Sequence, residues 1–161
     1  MKKKNLVYLA FGSNLGEKEQ VIQHAYTLLE KELGSLIKRS TFFYSEAYGF
    51  ESENSFVNSV CLFHTEKTAF ETLEITQLIE FHLGRTSKSR KKRYEDRILD
   101  IDILLFNEET IDSPKLKIPH PEILQRDFVY IPLLEIAPKL LHPHFQQMIR
   151  ELVKTKENSE L

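Results

Sequence analysis

The stretch ILDIDILLF at residues 98–106 constrains the fold of this protein more than any other part of the chain. Apart from its two aspartates the stretch is apolar, and it is too short for a typical helix, which favours a buried strand. Because side chains alternate along a strand, Asp100 and Asp102 share one face, with α-carbons roughly 6.6 Å apart. The opposite, core-facing side is expected to carry Leu99, Ile101, Ile103 and Leu105.

The elements upstream of this stretch follow a regular order. An apolar run at residues 5–11 predicts a strand. Apolar residues then recur with helical spacing up to Gly34, which is expected to end the helix. The buried face of this helix is expected to consist of Val21, Ile22, Ala25, Leu28, Leu29 and Leu33. Residues 37–45 and 56–65 are rich in β-branched and aromatic side chains, which predicts two strands paired across residues 49–55.

A second helix at residues 68–83, ended by Gly84, completes the order β-α-β-β-α-β. This order indicates an α+β fold, a ferredoxin-like α/β sandwich with helices packed on the faces of an antiparallel sheet. The two helices within that order are expected to share one face. Because one fold hosts many functions, function has to be argued from the site.

Composition predicts one soluble domain over residues 1–161, with a solvated tail from about residue 154 to 161. The chain has a mass of 18.9 kDa, 41% hydrophobic and 29% charged residues, and a net charge of −2, which argues against a general nucleic-acid coat protein. The lone Cys61 forms no internal disulfide and is expected to be inert core. The apolar run near the start is too short for a membrane span, so we expect a cytoplasmic protein without membrane association.

One segment departs strongly from this average charge. Residues 85–97, RTSKSRKKRYEDR, contain seven basic and two acidic residues, a net charge of +5 against −7 for the rest of the chain. Such a segment without apolar periodicity is typical of a loop that binds an anion, or of a merely solvated run of charge.

The aspartate pair that follows this segment suggests a magnesium site. Two carboxylates on one strand face repel each other unless a cation lies between them, and Mg²⁺ commonly takes one or two carboxylates together with phosphate oxygens. The alternatives are two exposed acids on the solvated face of a sheet, or an ion pair with Arg97. The proximity of seven cations favours a polyphosphate site.

Weaker candidates lie elsewhere in the chain. Phe56 and Asn58 are two apart on a predicted strand, where an aromatic ring beside an amide suits a flat heterocycle, although a core Phe beside a turn Asn is the commoner arrangement. Gln77 and Glu80 lie one helical turn apart, either as ligand contacts or as ordinary surface polarity. His120, within IPHPE, either contacts a ligand or occupies a turn. The pair His142 and His144 is a weak metal spacing that we discount, and no Walker A or GxGxxG motif is present.

Taken in order, several segments resemble the 6-hydroxymethyl-7,8-dihydropterin pyrophosphokinase family. They are YLAFGSNLGEK at residues 8–18, FVN at 56–58, the QLIE…GR stretch at 77–85, RILDIDILLF at 97–106 and IPHPEILQRDFVYIPLLEIAP at 118–138. The resemblance covers essentially the whole chain, and the last two blocks together are highly specific. It implies transfer of diphosphate from ATP, as co-substrate, to the hydroxymethyl group of the pterin, with release of AMP, in folate biosynthesis.

The resemblance also implies roles for individual residues. Two Mg²⁺ ions would be held by Asp100 and Asp102, and Arg85 and Arg97 would complete the catalytic set. The ATP contacts would be Gln77, Glu80, Arg93, Tyr94, Ile103, Lys115, Lys117, His120 and Arg126. The pterin would be held by Ser45, Ala47, Tyr48, Phe56, Asn58 and Phe128. The sequence departs from common family patterns at Ala47, where relatives often carry a proline, and at Tyr94 to Asp96, where many carry Trp-Gly-Pro.

The implied partners are small molecules, ATP and the pterin, with no nucleic acid, and we expect a monomer. Two alternatives remain open at this point. One is a ferredoxin-like RNA-binding module that uses the basic segment, although no RNP1-like motif is present and the two aspartates would repel a phosphate backbone. The other is a metal-dependent nucleotidyl transferase, which would release pyrophosphate rather than AMP.

Overall fold

The structure, a computed structural model, describes residues 4–46, 55–84 and 98–159. Six residues with predicted roles lie outside these ranges: Ala47, Tyr48, Arg85, Arg93, Tyr94 and Arg97. The described elements are β1 Asn5–Ser13, α1 Lys18–Glu32, β2 Gly34–Arg39, β3 Phe43–Ser45, β4 Phe56–Thr65, α2 Ala69–Gly84, β5 Asp100–Phe106, β6 Ile111–Asp112, β7 Lys117–Ile118, α3 Asp127–Ile136 and α4 Ile149–Ser159.

The described strands form an antiparallel sheet in the order β2-β4-β1-β5, with β3 also paired to β4. The central position of β1 and β4 follows from their sequences, because both are almost continuously buried runs. The order confirms the predicted ferredoxin-like α+β fold. None of the helices in the described ranges is long and apolar enough to cross a bilayer.

Two apolar layers hold the fold together, one on each face of the sheet. The first joins alternate residues of β1 to buried residues of α1 and α2: Val7, Leu9, Phe11, Ile22, Leu29 and Ile79. The second joins the other face to α3 and α4: Ala10, Val60, Leu104, Val129, Leu133 and Ile149. The first two helices therefore share a face as expected, and the chain after β7 supplies the cover for the other face.

Cys61 lies in the first layer and is fully buried. Burial raises the pKa of its thiol to about 12, with a smaller opposing effect from the hydrogen bond to Tyr26. The thiol therefore stays protonated and unreactive, which confirms the expectation of inert core.

The pattern of β5 departs from simple alternation at one point. Its register against β1 shifts between Tyr8 and Leu9, so that Leu104 is an extra residue on β5. The prediction that Leu105 shares a face with Ile101 and Ile103 is wrong for this reason: Leu105 belongs to the layer under α3 and α4. A continuous apolar run does not reveal a bulge, because both faces of the strand are apolar with or without the extra residue.

The predicted single strand at residues 37–45 is divided into β2 and β3. The hydroxyl of Ser40 accepts the Val60 N–H at 2.9 Å, and the Ser40 N–H donates to the Val60 carbonyl at 2.9 Å, so the segment between the two strands stays tied to β4. Gly34 begins β2 rather than ending α1, and a β-carbon there would overlap the carbonyl oxygen of His64. Glycine is therefore needed for the close approach of β2 to β4.

The C-terminal residues that composition assigns to a solvated tail continue a helix. Helix α4 runs to Ser159, and Lys154 and Glu157 are exposed on it. Ile149 and Val153 are buried in the second apolar layer, so the first two turns of this helix are part of the core.

Candidate functional site

A row of residues crosses the sheet on the face covered by α3 and α4. Gly12 on β1 lies directly opposite Asn58 on β4 and directly opposite Asp100 on β5. Directly paired residues present their side chains on the same face, and neighbouring strands lie about 4.8 Å apart, so Asn58 and Asp100 are about 10 Å apart at their α-carbons. The residue between them has no side chain, and the Asn58 amide takes part of the space that a side chain would fill. We refer to the surface from Asn58 to Asp100 as the groove.

The amide of Asn58 is the most informative group in this groove. Its Nδ2 donates to the Phe11 carbonyl at 3.3 Å, and the residue is only 8% exposed. Its Oδ1 is buried and has no hydrogen-bond partner among the described residues. Leaving a buried acceptor unsatisfied costs about 1–3 kcal/mol, so the amide is arranged for a donor that a ligand would bring.

Asp102 lies one row further along β5, opposite Ala10, and is 36% exposed. The Nε2 of His120 is 3.9 Å from its Oδ2, and the Nη1 of Arg126 is 3.8 Å from the same oxygen. With Asp100 it forms a half-buried pair of carboxylates on one face, as predicted from the spacing. A guanidinium and an imidazole beside a carboxylate suit a site in which carboxylates and phosphate oxygens lie close together.

The carboxylate pair fits Mg²⁺ better than a transition metal. Within the described ranges, no three His, Cys, Asp or Glu side chains are placed to hold an ion together. Mg²⁺ is commonly held by one or two carboxylates, with the remaining ligands supplied by water and substrate phosphates. Two aspartates on one strand face are therefore a sufficient protein contribution for this ion.

His120 is held as a neutral donor. Its Nδ1 accepts the N–H of Glu122 at 3.1 Å, so the neutral ring carries its proton on Nε2, the nitrogen that faces Asp102. Burial lowers the pKa of His120, Arg126 lowers it further, and Glu122 and Asp100 oppose them. At neutral pH the ring offers an uncharged N–H, the kind of group that hydrogen-bonds a phosphate oxygen.

Arg126 immediately precedes α3 and lies beside the same carboxylates. Its Nε donates to Glu122 at 2.8 Å, and its guanidinium carbon lies 5.8 Å from the centre of the Phe128 ring. The guanidinium is thereby supported on two sides, with 33% of the side chain exposed. The first residues of α3 thus place a cation and an aromatic ring together.

Glu80 has a role that its spacing with Gln77 did not indicate. Its Oε2 accepts the main-chain N–H of Ile101 at 2.6 Å, which ties α2 to the segment of β5 between the two aspartates. Gln77 is exposed on the same helix. Sequence reasoning could not find the Glu80 contact, because a main-chain donor leaves no trace in side-chain patterns.

The remaining predicted ATP contacts lie at or near the β6–β7 hairpin and β5. The side chain of Ile103 is buried in the layer under α1 and α2, so only its main chain is available to a ligand. Lys115 is exposed, and Lys117 is paired with Asp112 at 2.7 Å across the hairpin. Lys115 and Lys117 belong to the hairpin of β6 and β7, which forms a sheet of its own, and Ile103 lies on β5 outside the row formed by Asn58, Gly12 and Asp100.

The predicted pterin contacts within the described ranges cluster near Asn58. Ser45 and Phe56 are paired between β3 and β4, and both are half-buried. Phe128 is half-buried at the start of α3, which packs on β3 and β4. Phe43, which sequence reasoning missed, is paired with Asn58 and extends the row on this face. Sequence reasoning missed Phe43 because residues 37–45 were predicted as one unbroken strand.

Comparison with known proteins identifies the family. The model of the family described as 7,8-dihydro-6-hydroxymethylpterin-pyrophosphokinase (HPPK) matches residues 8–138. The chain belongs to this family. A 2-amino-4-hydroxy-6-hydroxymethyldihydropteridine pyrophosphokinase of Porphyromonas gingivalis is 45% identical over 139 residues, which are 86% of this chain and 94% of that protein. The protein of the same name from Bacillus subtilis is 39% identical over 137 residues, 84% of this chain and 80% of that protein.

Solved structures support the fold of this HPPK family member. Plasmodium falciparum HPPK-DHPS, wild type with pteroate, superposes with a TM-score of 0.77 and 18% identity. The match covers 100% of this chain and 45% of that chain, so the present protein spans less than half of the solved one. At this identity the similarity establishes the ferredoxin-like α+β fold.

Proposed function

We propose that this HPPK family member transfers the terminal diphosphate of ATP to 6-hydroxymethyl-7,8-dihydropterin. The hydroxymethyl oxygen attacks the β-phosphorus, its proton is lost, and the bond between the β-phosphorus and the α-phosphate oxygen breaks, so that AMP leaves. The observation that carries the proposal is the row of Asn58, Gly12 and Asp100, which joins an unsatisfied buried amide to a carboxylate pair across a groove. Family membership supports the same reaction.

The pterin occupies the Asn58 end of the row in this proposal. The Oδ1 of Asn58 accepts an N–H from the pterin edge, which supplies the partner that this atom lacks among the described residues. Phe56 and Phe128 hold the ring between them, and Ser45 contributes at the strand beside Phe56. Ala47 and Tyr48, which lie outside the described residues, are included from the family resemblance.

The triphosphate occupies the Asp100 and Asp102 end. These carboxylates would hold two Mg²⁺ ions, which would supply positive charge to offset that of the phosphates during an in-line displacement. Arg126 and the Nε2–H of His120, both within 4 Å of Asp102, orient phosphate oxygens. The other ATP contacts among the described residues, taken from the family resemblance, would be Gln77, Glu80, Lys115, Lys117 and the Ile103 main chain.

The remaining residues of the proposal are taken from the family resemblance alone. Arg85, Arg93, Tyr94 and Arg97 lie outside the described residues. Their net charge would offset that of the triphosphate and favour transfer to the pterin over hydrolysis by excluding water. The protein would act as a monomer on these two small molecules, without nucleic acid; size-exclusion chromatography and RNA titration at two salt concentrations check both points.

The reaction is tested by resolving the nucleotide products. The purified protein is incubated with ATP, Mg²⁺ and the reduced hydroxymethylpterin, and nucleotides and pterins are separated by chromatography. AMP formed only with pterin, in equal amount to a pterin diphosphate, is the expected result. Formation of ADP, or of pyrophosphate with a nucleotidyl product, would contradict it, and the second result would instead support the nucleotidyl transferase.

A further inference from the structure

A cavity of about 430 Å³ lies away from the row of Asn58, Gly12 and Asp100. The β6–β7 hairpin forms one wall, the segment at residues 118–125 forms a second, and His142, His144 and Phe145 close it. Its volume is within the range of small-molecule sites. The three residues from the C-terminal segment have no part in the proposed transfer reaction, so the cavity needs its own explanation.

The buried imidazole of His142 is the decisive group in this cavity. His142 is 5% exposed, and its Nδ1 accepts the N–H of His144 at 3.2 Å. The neutral ring therefore carries its proton on Nε2, and this atom has no hydrogen-bond partner among the described residues. A donor in a nearly buried ring that lines a cavity is arranged for an acceptor inside that cavity.

The same hydrogen bond excludes a metal site at the histidine pair. A metal bound at Nε2 requires the ring proton on Nδ1, which would then point at the N–H of His144. His120 repeats the arrangement with the N–H of Glu122, in a second His-Pro-X segment. The Nε2–H of His120 faces Asp102, so the donor for a ligand in this cavity is that of His142, which can bind a carbonyl or similar acceptor.

The remaining lining indicates a flat ligand without net charge. The ring of Phe145 lies 4.8 Å from that of His142 at a 39° tilt, and Ile123 and Leu124 add apolar surface. Lys117 and Asp112, which both line the cavity, form an ion pair at 2.7 Å, and the pair has no net charge.

We propose that this cavity binds a small, flat, uncharged aromatic or heteroaromatic molecule through a carbonyl group that accepts the Nε2–H of His142. The aromatic part of the ligand packs against Phe145. The cavity is separate from the row of Asn58, Gly12 and Asp100, but Lys117 and His120 in its wall are also proposed ATP contacts. His142 and Phe145 have no part in the proposed reaction, so binding is tested without nucleotide or pterin.

The test uses benzamide as the probe, with the full chain, at pH 8 and without nucleotide or pterin. Benzamide is titrated against ¹⁵N-labelled protein and followed by NMR, with toluene, which lacks the acceptor, and benzoate, which adds a charge, as comparisons. We expect saturable shifts confined to residues 110–125 and 141–147, with a Kd on the order of 10 mM for a ligand of this size. Toluene and benzoate should each bind at least about fivefold more weakly.

Variants assign the effect to the donor. His142→Phe keeps a ring and removes the N–H, and it should weaken benzamide binding at least fivefold, whereas His24→Phe on the exposed face of α1 should leave it unchanged. Phe145→Ala, at a residue 55% exposed, tests the stacking surface should His142→Phe fail to fold. The proposal would be overturned if both cavity variants bound benzamide as tightly as the wild type does, or if benzoate bound more tightly than benzamide. Absence of saturable benzamide binding to the wild type would also overturn it. AMP formation by the same variants is measured separately, so a failure of the transfer reaction is distinguishable.

Discussion

A β-carbon on Gly12 would stand 2.7 Å from the Nδ2 of Asn58, closer than real side chains allow. The amide of Asn58 therefore occupies the space that a side chain on β1 would fill, and it does so while donating to the carbonyl of Phe11. The glycine is needed for space rather than for an unusual backbone conformation. The proposed recognition of the pterin by Asn58 thus depends on a residue that contributes no side chain to it.

Gly12→Ala should weaken pterin binding while leaving the fold intact. The atom that must move is the far end of the Asn58 side chain, so the fold loses little, but the orphaned Oδ1 is turned away from the groove. We expect about a tenfold rise in the pterin Kd, consistent with one lost hydrogen bond in a buried site. Fluorescence titration with the pterin measures it.

The matched control is Gly84→Ala at the end of α2, where a new β-carbon meets nothing within 4 Å. Unchanged pterin affinity in Gly12→Ala, with the thermal midpoint also unchanged, would contradict the role given to this contact.

Asp102→Asn should lower AMP formation about 100- to 1,000-fold, because it removes the charge that the proposed Mg²⁺ ions require. Pterin binding should be nearly unchanged, since Asn58 lies two strands away. Turnover is followed by chromatography over a range of Mg²⁺ concentrations. Glu108→Gln, at an exposed carboxylate just after β5, is the control, and turnover near that of the control would refute the assignment.

Glu80→Ala should loosen β5 between the two aspartates. The Ile101 N–H loses its 2.6 Å acceptor, so its hydrogen exchange should accelerate even in the protein without ligands. Turnover should fall and the apparent affinity for Mg²⁺ should weaken, as the two carboxylates lose their common support. Glu74→Ala, exposed on the same helix, should change neither. Loss of ATP affinity with normal exchange at Ile101 would instead indicate direct contact with the nucleotide.

Acid should destabilise the protein through His142. Burial lowers the pKa of this imidazole, and His144 adds to the effect, so the unfolded chain takes up a proton at pH values where the folded one does not. The free energy of unfolding is therefore unaffected by this group above about pH 6.5 and falls as the pH drops below that value. Urea midpoints at pH 8 and pH 5.5 should differ less in His142→Phe than in the wild type. His24→Phe should behave as the wild type does.

Most of the fold was predictable because apolar residues recur with different periods in helices and in strands. The strand at residues 56–65 was predicted with its observed bounds, and α2 differed by one residue at each end. The errors in the predicted strands arose where the structure depends on pairing with a neighbouring strand, which the sequence of one segment does not reveal. The predicted single strand at residues 37–45 is two strands that share β4 as their partner, and Ser40 between them bonds to Val60, a partner that no local pattern records.

The candidate site was predictable to the extent that spacing on one strand implies a shared face. Asp100 and Asp102 lie on one face, as expected from their separation by one residue. The contribution of Gly12 and the main-chain contact of Glu80 arise from pairing between elements distant in sequence, and they could not be inferred from either segment alone. The family resemblance supplied residue roles, but not these supports.

The bulge at Leu104 makes the length of β5 as restrictive as its composition. The extra residue lets one face carry two carboxylates at one end and Leu104 and Leu105 at the other. Deletion of Leu104 would force a choice between keeping the aspartates in the groove and keeping Phe106 in its layer, because one end of the strand would have to reverse faces. In evolutionary terms, this strand accepts substitutions more readily than a change of one residue in length.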